Sequence, residues 1–358
     1  MGNKVLALIL TKGAGNQLQN LTKKHVDETV SFAAKYRLID FVISNCANSG
    51  IDSLCFLTPK ESKTIQDYVG NGSRWDMNDV SYFSLSNEHK QNDVSLLDVV
   101  KDNLEAIESK KPDYVLLLSA NHVYRTTYND LIAYHIENKA DCTALVIEVE
   151  KKDASKYNIL VTDSKGNITK YEEKPKKPRG TSVCTGVYCF SWPALKEYLK
   201  QGSNIESDIL PLMIKDKKKL LTYKFYGYFR EINTFNSFHT VSVDIVLNRW
   251  NNNLFNLDDR TRIYAENSCS FPQYIAEGAL VTNSVVEEGA TVFGDCDACV
   301  ISRNVLIEEG AKVDHTVVMA NAVIKKGAVV HNAVIAEGAI VEENAKINTD
   351  SNGIVLVN

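Results

Sequence analysis

At 358 residues, 44% of them hydrophobic and 24% charged, the chain can bury a sizeable core, and its length suggests two domains. A net charge of -5 excludes a broad basic face for nucleic acid or anionic membrane. No apolar run reaches the roughly 18 residues of a membrane span.

The opening Met1-Gly2-Asn3-Lys4 leads into an apolar stretch without the pattern of a secretory signal, and eight cysteines are scattered along the chain. Reduced thiols and a cytoplasmic setting are therefore expected. Continuous apolar runs predict buried strands over 5–10, 53–58, 114–119 and 143–149, with amphipathic helices such as 36–49 and 97–108 between them. This alternation predicts an α/β, Rossmann-like domain over 1–250, with a mostly parallel sheet and helices on both faces. Ligands of such sheets bind beyond the carboxyl ends of the strands, here expected after Leu10, Ser119 and Phe229. The basic run 215–219 reads as a solvated helix end.

A polar linker over 251–262 is followed by a change of pattern across 263–358, where aliphatic residues recur every five to six positions. Turn pieces with Gly278, Gly289, Gly310, Gly327 and Gly338 separate them. One inward aliphatic residue per side and a small residue at each corner predict a left-handed parallel β-helix. Cys296 and Cys299 form a lone C-x-x-C without a second pair, and no metal site is expected there. His315 and His331 read as turn or coil-face positions, which leaves no convincing catalytic histidine for acyl transfer.

Several ordered segments carry a resemblance. They are a glycine loop after the first strand (Thr11 to Leu18), Tyr36-Arg37-Leu38-Ile39-Asp40, Ser119-Ala120-Asn121-His122, Glu172-Glu173-Lys174-Pro175, Thr185-Gly186-Val187-Tyr188 and Phe229-Arg230-Glu231-Ile232-Asn233-Thr234. Together with the β-helix they make the chain resemble the bacterial glucose-1-phosphate adenylyltransferases over nearly its whole length. The resemblance implies attack of a sugar 1-phosphate on a nucleoside triphosphate, helped by Mg²⁺ and by cationic side chains that offset growing negative charge.

Against the family pattern, the triphosphate side is altered. Lys12 and Gln17 stand where the loop has glycine and arginine, although Gly13 and Gly15 remain. A lysine at the phosphates becomes Asp27, and at about 4 Å and an effective dielectric near 20 such a contact is worth roughly 4 kcal/mol, now repulsive. Two magnesium-binding aspartates become Asn121 and Glu231, and Ser95-Leu96-Leu97 replace smaller residues of the base pocket. On the sugar side Glu173, Lys174 and Gly186 match, with Cys184 in place of serine.

The expectation is thus a degenerate site with no intact catalytic set, no bound metal and no required cofactor, with Mg²⁺ needed only for residual activity. The resemblance points to the non-catalytic, GlgD-type regulatory subunits, which pair with a catalytic adenylyltransferase subunit in a hetero-tetramer. A sugar phosphate or nucleotide is the expected ligand. The alternatives are an active sugar-1-phosphate nucleotidyltransferase and a stand-alone sugar-phosphate-sensing protein.

Overall fold

The computed structural model describes residues 3–358 except 12–17, 19–20, 22–26, 59–62, 86–94, 249–253, 255–258, 268–269 and 351–352. These residues form two compact units, one of Met1–Gly13, Val42–Ala120 and Arg125–Phe229, the other of Ala14–Phe41, Asn121–Tyr124 and Arg230–Asn358.

The first unit is built on a sheet of β1 (Val5–Leu10), β2 (Ser53–Thr58), β3 (Asp79–Ser84), β4 (Tyr114–Ser119), β5 (Cys142–Glu148), β6 (Ile159–Thr162), β7 (Ile168–Glu172), β8 (Ser182–Ser191) and β9 (Leu220–Lys224). Its order is β7-β6-β8-β4-β1-β2-β3, with β5 paired to β8 and β9. β1 runs parallel to β2 and β4, with Leu10 opposite Leu57 and Ser119. Strands covered on both faces read as near-continuous apolar runs, which is why β1, β2 and β4 are recognisable from their mostly apolar sequences. Leu6, Leu8, Leu117, Phe190 and Leu195 lie in one buried core.

Helix α1 (Leu38–Asn48) begins where the Arg37 backbone N–H donates to Asp40 Oδ2 at 2.8 Å. It starts later than the predicted 36–49 because Tyr36–Arg37 pair with Ser31–Phe32 as an antiparallel ribbon. The predicted helix over 97–108 is two helices, α2 (Leu96–Asp102) and Leu104–Ser109. Between them Asn103 leaves the helical conformation, with φ of -110° and ψ of 21°, while its side-chain amide donates to the carbonyls of Val99 and Ser84 at 2.9 and 3.0 Å.

In the second unit, three five-stranded parallel sheets line the sides of the repeat, the arrangement of a left-handed parallel β-helix. The first sheet contains Thr291–Val292 and Leu306–Ile307, the second Lys312–Asp314 and Val329–His331, the third Val300–Ile301 and Val317–Val318. Val292, Ile307, Val313, Ile324, Val330 and Val341 fill its core, and each of the five turn glycines has a positive φ. Helix α3 (Phe235–Leu247) starts with a reciprocal cap: Thr234 Oγ1 accepts the Ser237 N–H at 3.1 Å and Ser237 Oγ accepts the Thr234 N–H at 2.9 Å. Its Phe238 ring meets Phe32 edge-on at 5.9 Å, and the helix packs on strands Val300–Ile301 and Val317–Val318. Among the described residues no helix is long and apolar enough to cross a membrane.

Candidate functional site

In the first unit the carboxyl ends of β1 and β4 are tied together. The Ala120 N–H donates to Leu10 O at 3.0 Å, and the buried Thr11 N–H and Oγ1 both donate to Leu57 O, at 3.0 and 3.1 Å. Lys12, Gly13, Gly15 and Gln17, which follow, lie outside the described residues, as does the side chain of Asp27, whose backbone opens a 3-10 turn, Asp27–Thr29.

β7 and β8 flank β6 so that Glu172 and Val183 both pair with Ile159, which brings the Glu172-Glu173-Lys174 turn and the Cys184–Gly186 segment to neighbouring strand ends. Glu173 and Lys174 are exposed, and Lys174 has a φ of 33°, unusual for a residue with a Cβ. Glu172 anchors this turn through Lys170 Nζ at 3.1 Å, Arg179 Nε at 3.3 Å and the Arg179 N–H at 3.3 Å. Burial opposes its ionisation, but these hydrogen bonds and the charges of Lys170 and Arg179 outweigh burial and hold the carboxyl below its ordinary range.

Gly186, at φ 75°, forms a bulge at which the register of β8 against β5 shifts between Cys184 and Tyr188. Thr185 Oγ1 donates to Leu145 O at 2.5 Å and accepts the Val187 N–H at 3.3 Å, which satisfies the interrupted backbone. Beside the bulge Tyr188 Oη donates to Glu206 Oε1 at 2.7 Å and lies 2.8 Å from Cys184 Sγ. Burial first, then Cys184 and Glu206, push the Tyr188 phenol well up, so it stays an O–H donor and Cys184 is left to donate to it. Ser95 is the cap of α2, accepting the Leu97 N–H at 3.1 Å, while Leu97 lies in the sheet's core.

In the second unit the strand His122–Tyr124 pairs with the one ending at Glu231. Asn121 is buried, and its backbone O accepts the Ile232 N–H at 3.0 Å. Its amide Nδ2 donates to Ile232 O at 3.2 Å and to Asn233 Oδ1 at 2.7 Å. A backbone carbonyl can only accept, which fixes the amide orientation. Glu231 is 47% exposed, with Oε1 3.9 Å from Nε2 of the buried His122, and Arg230 reaches Asp244 Oδ2 at 3.6 Å. Asn121 and Glu231 thus belong to one ribbon. Asn233 was not singled out from the sequence, although it stands where the resembled pattern has glycine. Glu206 left no such signal.

Just before α1, Ala33 and Ala34 turn the ribbon with φ of 49° and 68°. Both carry a Cβ, so the backbone holds a left-handed course that these residues disfavour.

A nucleotidyl transferase family model matches residues 6–247, and a GlmU-like, C-terminal hexapeptide model matches 271–353. The chain is 38% identical over 332 residues to a glucose-1-phosphate adenylyltransferase of Bacillus thuringiensis (strain Al Hakam), covering 88% of this chain and 87% of that protein. It is 37% identical, with the same coverage, to those of Bacillus cereus (strain Q1) and Bacillus anthracis. With these matches spanning both the α/β sheet and the β-helix, the chain belongs to the glucose-1-phosphate adenylyltransferase family.

Proposed function

We propose that the chain is a regulatory, non-catalytic subunit of a bacterial glucose-1-phosphate adenylyltransferase, of the GlgD type. It acts beside a catalytic subunit, in a hetero-tetramer, in forming ADP-glucose for glycogen synthesis. The observation that carries this reading is the Asn121 amide, whose N–H groups are spent on Ile232 O and Asn233 Oδ1. A hard dication such as Mg²⁺ prefers charged oxygens, and in this ribbon Glu231 alone offers a carboxylate. The donor set does not fit a magnesium centre.

The charges read from the sequence support the same conclusion. Gln17 for arginine, Asp27 for lysine and Asn121 for aspartate make these three positions together two units less positive than the family pattern, and Lys12 in place of glycine returns only one of them. Loss of one preorganised donor typically costs about 100- to 1,000-fold, and several are absent. The sugar side differs: Glu172 braces the turn that presents Glu173 and Lys174, next to the Gly186 bulge. This combination suits a subunit that senses a sugar phosphate and passes that binding to a working partner as a coupling free energy.

The test is co-expression with a catalytic adenylyltransferase subunit from the same cell. Co-purification in a defined stoichiometry, with a rise in the partner's turnover, is the expected result. Glucose 1-phosphate binding without any partner would support a stand-alone sensor instead.

A further inference from the structure

On the second sheet of the β-helix, Thr282, Asp297, Asp314 and His331 occupy the same position on successive coils. The next residue of each coil turns the corner in the left-handed conformation, with φ of 44° at Asn283, 51° at Ala298, 44° at His315 and 48° at Asn332. Asparagine and histidine are among the residues that tolerate this conformation. Coils stack at about 4.8 Å, so one side chain reaches both its chain neighbour and the residue stacked on it. Asp314 does both: Oδ1 lies 2.5 Å from His315 Nδ1 and Oδ2 lies 2.7 Å from His331 Nδ1.

The two imidazoles converge at 6.0 Å between ring centroids, and one ligand atom from each of the three residues falls within 4.8 Å of the others. The corner is held from both sides. The His315 N–H donates to Asp297 O at 3.0 Å, and His315 O accepts from Nε2 of the buried His239 on α3 at 2.7 Å. Asp297, one coil back, adds a carboxylate whose Oδ1 accepts from Thr282 Oγ1 at 2.6 Å and Asn283 Nδ2 at 2.9 Å.

We propose that Asp314, His315 and His331 form a binding site for a borderline divalent transition ion of the zinc class, clipping two coils of the β-helix together. Two imidazole nitrogens and one carboxylate suit such an ion and disfavour magnesium or calcium, which take oxygen ligands. With metal–ligand bonds near 2.0–2.1 Å, tetrahedral ligands stand about 3.3 Å apart. The present contacts are shorter by under about 1 Å, a gap that small rotations of half-exposed rings open. Each ring then turns its Nδ1 lone pair to the ion and carries its proton at Nε2. The hydrogen bonds to His315 preorganise the corner, as outer partners of metal ligands do. The site lies outside the sheet unit and does not depend on whether the chain turns over substrate.

The test uses the full chain, reduced and freed of metal with a chelator, and titrated with Zn²⁺ by calorimetry and with Co²⁺ by absorption. One equivalent of Zn²⁺ per chain, a rise in the thermal midpoint, and a four-coordinate Co²⁺ spectrum without thiolate charge-transfer bands are expected. His315→Asn, which keeps a residue suited to the left-handed corner, and His331→Asn should each weaken binding by about tenfold or more while retaining the circular dichroism of the parent. Absence of stoichiometric zinc, thiolate bands in the cobalt form, or folded variants that bind like the parent would overturn the proposal.

Discussion

Asn121 Nδ2 lies 2.7 Å from Asn233 Oδ1, a bond from a buried amide to a half-buried one that joins two short segments 112 residues apart in sequence. An aspartate at 121 would place its oxygens against Asn233 Oδ1 and Ile232 O with no proton between them. Asn121→Asp is therefore expected to lower stability by about 1–3 kcal/mol, the cost of leaving buried polar groups unmatched. Adding Asn233→Gly should restore part of the loss, because removing the facing amide gives water access to the carboxylate. Urea unfolding of the two single variants and the double variant measures this, and additive effects would contradict it.

Ala33 and Ala34 are buried, with φ of 49° and 68°. Left-handed backbone costs a residue with a Cβ about 1–2 kcal/mol relative to glycine. Glycine also loses more entropy on folding, so Ala34→Gly, at the position with the larger φ, is expected to gain about 0.5–1 kcal/mol. A lower melting temperature in that variant would show that the turn is not strained.

Much of this architecture was legible in the sequence, for reasons visible at particular residues. β1, β2 and β4 are buried on both faces, so their sequences are largely apolar runs, and the β-helix shows recurring turn glycines in the left-handed conformation. The interruption at Asn103 was not legible, because it depends on a hydrogen bond to Ser84 O, a partner distant in sequence. The ribbon pairing of Tyr36–Arg37 likewise depends on Ser31–Phe32 and overrode a helical pattern. At the site, the charge changes at Gln17, Asp27 and Asn121 could be read directly. The Asn121–Asn233 pair could not, since two distant segments must first be placed side by side. His315 and His331 looked unrelated at a separation that is close to one coil of the repeat.

Lys174 sits on the turn braced by Glu172 and projects no contact that the β7–β6–β8 strands need. Lys174→Ala should weaken glucose 1-phosphate binding by about 1.5–3 kcal/mol, the worth of a hydrogen bond to a charged group, with unchanged thermal stability. Calorimetric titration checks it. An unchanged affinity would remove Lys174 from the sugar-phosphate site.

His135 is buried, with Nδ1 2.9 Å from Thr143 Oγ1 and Nε2 3.2 Å from Ser191 Oγ. Burial lowers its pKa from 6.5 to about 4, opposed weakly by Asp141. The native state thus keeps this ring neutral while the unfolded chain protonates it. Its contribution is fully present above pH 6.5 and is lost as pH falls from 6.5 toward about 4, on the order of 3 kcal/mol in all. His135→Gln should flatten that part of the stability–pH curve measured by denaturant unfolding. An unaltered slope would place the acid sensitivity elsewhere.

The most direct test of the account is the turnover of the purified chain alone, supplied with ATP, Mg²⁺ and glucose 1-phosphate and followed by pyrophosphate release. Asn121, Asn233 and the lost cationic positions predict release no faster than the no-protein control. Turnover near that of a competent adenylyltransferase would contradict it.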